Sequence, residues 1–211
     1  MKAVKPLNAV VLLSGSGTTF QHLYDEARQG ALALNIKGVM SSKRGAYGLT
    51  RARAVGIPTQ TIPRSEYLDA RSFSRELIDT MNAMRPEIVV MAGFTALLHL
   101  PDYLLGKVIN IHPSLLPKFG GKGMYGIRVH RAVIAARAKE SGCTVHYVDN
   151  EYDHGPVILQ KKVEVRADDT PEKLDERVRI VEREALPEAI NMIADGRVRW
   201  ENGKAVFDKS K

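Results

Sequence analysis

Residues 9–19, Ala-Val-Val-Leu-Leu-Ser-Gly-Ser-Gly-Thr-Thr, are the most informative part of this chain for its architecture. The five unbroken apolar residues are typical of a β-strand that is covered on both faces. The serine and glycine residues that follow predict a tight turn, and residues 20–29 predict a helix. A buried strand that passes through a tight turn into a helix is the repeating unit of α/β proteins.

The alternation of strand and helix continues along most of the chain. We predict strands at 35–40, 58–62, 88–91, 108–111, 144–148 and 157–165, and helices at 47–55, 70–84 and 129–139. A Pro/Gly-rich loop occupies 113–126. Strands that alternate with helices imply right-handed crossovers, so the sequence predicts an α/β, Rossmann-like, mainly parallel sheet with helices on both faces.

The clearest helix is the last one. Thr170 can cap it and Pro171 suits its first turn. The apolar residues that follow repeat at helical spacing, at Leu174, Val178, Val181 and Ala185. Because the sequence has no internal repeat and no long linker, we expect residues 1–211 to form a single domain.

Composition excludes several classes of protein. The chain is 44% hydrophobic and 26% charged, which is typical of a globular protein and not of a disordered or collagen-like one. The single cysteine, Cys143, excludes an intramolecular disulfide framework, and no Cys/His cluster has zinc-finger spacing. The longest apolar stretch, residues 88–100, is too short to span a bilayer, and no export signal is evident. We therefore expect a protein of the reducing cytoplasm, with no metal and no membrane association.

The charge balance limits the partners. The 31 Lys and Arg residues exceed the 24 Asp and Glu residues, which gives a net charge of +7. Such a charge suits nucleic acid, an anionic membrane surface, or small substrates that carry phosphate or carboxylate groups. The basic residues are interspersed with acidic ones and form no stripe with aromatic residues, which disfavours nucleic acid.

The turn at residues 15–19 is a candidate anion site. It lies between a strand and a helix, where free backbone N–H groups and the helix dipole attract phosphate. It lacks the dinucleotide fingerprint, since Phe20 occupies the place of the third glycine, and it lacks the Gly-Lys-Ser/Thr of a P-loop. A plain tight turn would also account for these residues.

A second candidate site is Asn110-Ile111-His112-Pro113-Ser114-Leu115-Leu116-Pro117. It follows a buried strand, and ligands of open α/β sheets bind at the carboxyl ends of the strands. Because side chains alternate along a strand, Asn110 and His112 project from the same face. An amide and an imidazole placed together can stabilise an oxyanion and move a proton. A histidine that is satisfied within a turn is the alternative interpretation.

The remaining polar residues carry weaker signals. Asp153 could meet His112 and stabilise its imidazolium form, or it could be an ordinary turn aspartate. Arg179 and Glu182, one helical turn apart, could contact a ligand or lie on a solvated face. The other histidines with no evident partner, to which we assign structural roles, are His22, His99, His130 and His146.

Three segments together resemble one enzyme family. The segments Asn110–Pro117, Asp153–Gln160 and Ser14–Gly17 are similar to motifs of the phosphoribosylglycinamide formyltransferase family, and the resemblance extends from about residue 9 to residue 198. Methionyl-tRNA formyltransferases and formyltetrahydrofolate deformylases share this core but add a further domain. A chain of 211 residues leaves no room for such an addition, so we expect the simplest member of the group.

The resemblance implies a reaction and its catalytic residues. The implied reaction transfers a formyl group from 10-formyltetrahydrofolate, a co-substrate, to the amine of glycinamide ribonucleotide, without a metal. By position, Asn110 and His112 would stabilise the tetrahedral oxyanion. Asp153 would keep His112 protonated and would help to relay a proton to the folate leaving nitrogen.

The resemblance also implies two binding regions. The residues implied for the ribonucleotide are Gly17, Thr18, Thr19, Arg179 and Glu182. Those implied for the folate are Thr95, Ala96, Leu97, Leu98 and Asn110. Both partners are small anionic molecules, which accounts for the basic charge, and no oligomeric state is implied. Hydrolysis of formyl folate by the same three catalytic residues and a nucleic-acid-binding module are the alternative functions.

Overall fold

The computed structural model describes residues 4–208. Within that range the chain forms nine β-strands and five α-helices. The strands are β1 (Leu7–Leu13), β2 (Leu34–Ser41), β3 (Thr59–Thr61), β4 (Ile88–Met91), β5 (Val108–His112), β6 (Glu140–Tyr147), β7 (Val157–Glu164), β8 (Val198–Glu201) and β9 (Lys204–Phe207). The helices are α1 (Thr18–Arg28), α2 (Tyr47–Ala54), α3 (Ala70–Asn82), α4 (Ile127–Ala135) and α5 (Pro171–Ala194).

Seven strands form one sheet in the order β3-β2-β1-β4-β5-β6-β7. The strands from β1 to β5 pair in parallel, whereas β6 and β7 are antiparallel to their neighbours. The chain builds outward from β1 to β3 and then crosses to the other side of β1 with β4. The predicted α/β fold with a mainly parallel sheet is confirmed. The reversal of strand order creates a crevice at the carboxyl ends of β1 and β4.

The central strand β1 contributes to both layers of the core. Ala9, Val11 and Leu13 are buried in the cluster that includes residues of α1, α2, α4 and α5. Val10 and Leu12 are buried in a second cluster, which includes residues of α3. The alternation follows from the two-residue period of a strand. It confirms the predicted helices on both faces of the sheet.

The last helix, α5, begins as the sequence predicts. The Oγ1 of Thr170 accepts a hydrogen bond from the backbone N–H of Lys173 at 3.3 Å, and Pro171 is the first helical residue. Leu174 and Val178, on the inner face of this helix, are fully buried. No helix in the described part of the chain, α5 included, is both long enough and apolar enough to cross a membrane.

The boundary between α4 and β6 differs from the prediction. Helix α4 ends at Ala135 and not near 139, and β6 begins at Glu140 and not near 144. Residues 135–138, Ala-Ala-Arg-Ala, favour a helix by their intrinsic propensity. In the structure Arg137 adopts a left-handed backbone conformation with φ of 50°, which ends the helix and turns the chain into β6.

The hairpin of β8 and β9 was not among the predicted elements. Its two-residue turn is Asn202-Gly203, and both residues have positive φ. Asn-Gly between short strands is a strong hairpin signal, so the turn was recognisable from the sequence. The hairpin packs on the main sheet through Trp200, whose ring meets Tyr147 edge-on with 5.4 Å between centroids.

We expect the core on the α3 side to account for a large share of the folding free energy. Leu77 is fully buried there, so Leu77→Ala should lower the free energy of unfolding by about 2–5 kcal/mol, from lost burial and the cavity left behind. Leu68 is fully exposed, and Leu68→Ala should change the free energy by less than about 0.5 kcal/mol. Urea unfolding of both variants measures the contrast, and equal losses would contradict this description of the core.

Candidate active site

A cleft of about 280 Å³ lies where β1, β4 and β5 end. It is lined by the turn at residues 15–19, the segment 91–98, the end of β5, the loop after β6 and one side of α5. Every residue for which the sequence or the resemblance implied a site role lies on its wall, namely Gly17, Thr18, Thr19, Thr95, Ala96, Leu97, Leu98, Asn110, His112, Asp153, Arg179 and Glu182. These residues come from five separate segments of the sequence, and the topology brings them together.

Asn110 and His112 project into the cleft from the end of β5, where both are buried. The Nε2 of His112 lies 2.9 Å from the carbonyl oxygen of Phe119. Because a carbonyl oxygen can only accept, this contact requires a proton on Nε2. The Nδ1 of the same ring lies 3.4 Å from Oδ2 of Asp153. Both ring nitrogens of His112 therefore face hydrogen-bond acceptors.

Asp153 is held in place by the loop at residues 119–126. Its Oδ2 accepts a hydrogen bond of 2.9 Å from the backbone N–H of Gly121. The residue itself has a φ of 54°, in the left-handed region that aspartate tolerates better than most residues. Asp153 and His112 are thus adjacent, which agrees with one of the two interpretations that the sequence left open and with what the resemblance implied.

His146 is a cleft residue for which the sequence offered no partner. It lies opposite Asn110 in the antiparallel pairing of β5 with β6. Its Nδ1 donates to the carbonyl oxygen of Tyr147 at 2.8 Å, so its Nε2 is free to accept from Nδ2 of Asn110 at 3.1 Å. Burial lowers the pKa of His146 below its ordinary value, which agrees with a neutral ring. The contact between Asn110 and His146 depends on the register between β5 and β6. Sequence patterns do not predict this register.

The turn at residues 15–19 leads directly into α1. Gly17 is the N-cap of the helix, with a φ of 71°. A side chain at this position would meet the backbone of Gly48, so the close approach of two glycines fixes the turn against α2. The first N–H groups of a helix have no acceptor within the helix, and they attract anions.

The side of α5 that faces this turn carries charges of both signs. The Nε of Arg179 donates to Oδ2 of Asp175 at 2.7 Å. Glu182, one turn further along, is partly buried, and its burial raises its pKa to about 7, although the Arg179 guanidinium opposes this shift.

The segment after β4 forms the opposite wall of the cleft. The backbone N–H of Thr95 donates to Oγ of Ser14 at 3.1 Å, and this bond ties the segment to the end of β1. At the other end of the segment, the side chain of Leu98 is buried in the hydrophobic core. The wall is therefore anchored at both ends. Across residues 4–208, no group of three or more His, Cys, Asp or Glu side chains is placed to hold a metal ion.

An open sheet with an amide, an imidazole and a carboxylate at its crevice is compatible with acyl-transfer chemistry. A family model described as formyl transferase matches residues 7–190, and the chain belongs to this family. Its relatives include phosphoribosylglycinamide formyltransferases. The enzyme of that name from Escherichia coli (strain K12) is 37% identical over 204 residues, which cover 96% of this chain and 94% of the relative.

Solved structures agree with this assignment. The phosphoribosylglycinamide formyltransferase of Coxiella burnetii has a TM-score of 0.87 and 38% identity, and the match covers 97% of this chain and 94% of that one. A formyltetrahydrofolate deformylase from Pseudomonas syringae has a TM-score of 0.83 but 24% identity. The match covers 97% of this chain and 67% of the deformylase, and at this identity it establishes a shared fold alone.

We expect Glu182 to make stability depend on pH. Its pKa of about 7 in the folded protein exceeds its ordinary value of 4.5, so the folded state holds the proton more tightly than the unfolded state does. The stabilisation that comes from the protonated Glu182 is complete at pH values below 4.5, and it is lost as the pH rises through about 7. Glu182→Gln cannot ionise, so its melting temperature should rise relative to wild type between about pH 5 and about pH 8.

The control for this experiment is Glu176→Gln, which removes an exposed carboxylate from the same helix. Its melting temperature should follow that of the wild type at every pH. If the difference between Glu182→Gln and wild type stays constant over the same range, Glu182 does not titrate in the way described.

Proposed function

We propose that this protein acts in purine biosynthesis and transfers the formyl group of 10-formyltetrahydrofolate to the amine of glycinamide ribonucleotide. The observation that carries the proposal is the meeting of Asn110, His112 and Asp153 in one cleft that also contains the start of α1. The similarity to phosphoribosylglycinamide formyltransferases over nearly the whole chain supports the same conclusion.

In the proposed reaction the amine attacks the formyl carbon, and the carbonyl oxygen becomes an oxyanion. The Nδ2 of Asn110 carries two protons, and one of them is directed to Nε2 of His146. The second proton is left to donate to the oxyanion. His146 accepts the first of these N–H groups and so holds the amide of Asn110 in one orientation. The donor is therefore oriented before the substrate arrives, which is the condition for effective electrostatic stabilisation.

The imidazolium of His112 is the second proposed donor to the oxyanion. Its contact with Phe119 is short, whereas its contact with Asp153 is 3.4 Å long and leaves Nδ1 the less firmly engaged of the two ring nitrogens. We assign the oxyanion contact to Nδ1, because the proton on Nε2 is already held by the carbonyl oxygen of Phe119. Asp153 stabilises the positive charge of the ring.

Protons must move from the amine to the folate nitrogen for the reaction to balance. The attacking amine loses a proton when the new C–N bond forms, and the folate nitrogen gains one when the old C–N bond breaks. Asp153 is the proposed relay, because it is adjacent to His112 and is only slightly exposed. No metal is required, since Asn110 and His112 supply the charge stabilisation.

The two substrates are assigned to opposite walls of the cleft. We propose that Gly17, Thr18 and Thr19 hold the phosphate of the ribonucleotide at the start of α1, with Arg179 and Glu182 facing it from α5. The folate is assigned to the segment 95–98, next to Asn110. The formyl carbon and the amine would then meet beside Asn110 and His112.

Two further proposals concern the domain and the compartment of the protein. We propose that residues 1–211 form one formyltransferase domain, although the first three and last three residues lie outside the described part of the chain. We also propose that the protein works in the cytoplasm. Its single cysteine, Cys143, is a free thiol, and a chain without an intramolecular disulfide is typical of a reducing compartment.

The proposed function is tested by the dependence of folate turnover on the ribonucleotide. Loss of 10-formyltetrahydrofolate, followed by absorbance, should be slow with enzyme alone and should rise by about three orders of magnitude when glycinamide ribonucleotide is added. Glycinamide without its phosphate should restore little of this rate, because the binding energy of the remote phosphate orients the amine. Rapid deformylation that ignores the ribonucleotide would establish a hydrolase instead.

The catalytic assignment is tested by Asn110→Ala and His112→Ala. Each should lower kcat by about 100-fold, the usual loss when one oxyanion donor is removed, with a smaller effect on KM. His99→Ala is the matched control, because it removes a histidine that does not line the cleft. Near-normal turnover in either cleft variant, with folding verified by circular dichroism, would remove that residue from the mechanism.

A further inference from the structure

Helix α2 packs on the back of the turn at residues 15–19 through three contacts. The backbone N–H of Gly48 donates to the carbonyl oxygen of Gly15 at 3.0 Å. A side chain at Gly17 would collide with Cα of Gly48, and one at Gly48 would collide with the Leu13 side chain and crowd Cα of Gly17. The third contact comes from Arg51, whose Nε donates to the carbonyl oxygen of Ser16 at 3.0 Å.

These contacts determine the direction of two successive peptide groups. In a trans peptide the C=O of one residue and the N–H of the next point in opposite directions. Because the carbonyl groups of Gly15 and Ser16 point toward α2, the N–H groups of Ser16 and Gly17 point away from it. Successive N–H groups that point the same way form an anion-binding concavity. The turn lines the cleft on the side away from α2.

Arg51 itself lies behind the turn. It is not one of the described residues that line the cleft. Its guanidinium is 5.1 Å from the centre of the Tyr47 ring, an arrangement that restricts the side chain and leaves Nε directed to Ser16. A charged donor on this carbonyl oxygen also polarises the peptide group, which strengthens the N–H of Gly17 as a donor.

We propose that Arg51 is a positioning residue that sets the affinity for the phosphorylated substrate without touching it. It does so by holding the Ser16–Gly17 peptide with its N–H directed into the cleft. This inference rests on the proposed function, in which the turn binds the phosphate of the ribonucleotide. If the peptide rotated, the carbonyl oxygen of Ser16 would face the phosphate and repel it.

Arg51 could instead act only through its charge, and three variants separate the two possibilities. Arg51→Gln removes the charge but keeps an N–H group at the same number of bonds from the backbone as Nε. Arg51→Lys keeps the charge but has a methylene group in that place. Arg51→Met removes both the charge and the donor. All three replacements are good helix formers, so α2 is preserved.

The positioning role predicts that the donor matters more than the charge. The KM for glycinamide ribonucleotide should rise about tenfold in Arg51→Met and at least about fivefold in Arg51→Lys, the loss expected for a hydrogen bond to a charged group. In Arg51→Gln it should stay within about threefold of wild type, as a neutral donor is retained. At saturating ribonucleotide, kcat should change by less than this KM does, because the phosphate is then bound. The KM for formyl folate should change by less than about twofold in all three variants, because the folate is assigned to the other wall of the cleft.

The matched control is Arg53→Met on the same helix. Arg53 is exposed, and its Nε donates to Oγ1 of Thr59, away from the turn. Removal of this charge should change the KM for the ribonucleotide by less than about twofold, since exposed charges are screened at physiological salt. A near-normal KM in Arg51→Lys, combined with equally high values in Arg51→Gln and Arg51→Met, would overturn the positioning role in favour of charge.

A second measurement does not depend on turnover. In ¹⁵N–¹H spectra of the wild-type protein, added inorganic phosphate should shift the amide signals of Gly17 and Thr18. In Arg51→Met the shift of Gly17 should need about tenfold more phosphate, for the same energetic reason as above. Equal phosphate dependence in both proteins would overturn the inference, even if glycinamide ribonucleotide proved not to be the substrate. Equal melting temperatures of the two proteins would exclude misfolding as the cause of a difference.

Discussion

The parallel pairing of β1 with β4 is the contact on which both the core and the cleft depend. The two strands are in register from Ala9 opposite Ile88 to Leu12 opposite Met91, so they end side by side. The segments that follow are joined at once, because the N–H of Ser14 donates to the carbonyl oxygen of Gly93 at 3.0 Å. A slip of one residue would turn the buried side chains of β1 to the opposite layers of the core. It would also separate the wall assigned to the phosphate from the wall assigned to the folate.

The antiparallel direction of β6 places the third catalytic candidate. Since β6 pairs with β5 from Thr144 opposite His112 to Tyr147 opposite Ile109, the loop after it must return along the face of the sheet before Asp153 can reach His112. The return path is tight at Gly155, where a side chain would collide with the carbonyl oxygen of Tyr147. The left-handed backbone of Asp153 belongs to the same constrained path. The loop thus lies close against the strand that carries His146. As a result, the side chains of Asp153, His112 and His146 converge.

The sequence predicted the features that depend on local patterns. The apolar run of β1, the alternation that places Asn110 and His112 on one face, and the Thr170 cap of α5 all follow from spacing within a few residues. The meeting of Asp153 with His112 was one of two open interpretations until the resemblance implied it, because it joins residues forty positions apart. His146 was missed for a different reason. Its contact with Asn110 depends on the register of two strands, and no local pattern encodes that register.

The charge of Glu182 affects how well the cleft binds a phosphate under the proposed assignment, because both lie at the same wall. Under the proposed assignment the phosphate lies between the start of α1 and α5, where the charge of Arg179 is already balanced by Asp175. An ionised Glu182 would then repel the phosphate, whereas a protonated one could donate a hydrogen bond to it. The raised pKa of about 7 makes the neutral form accessible at little cost. By linkage, binding of the proposed phosphate and protonation of Glu182 would favour each other, so the partial burial that raises this pKa would also prepare the proposed site for an anion.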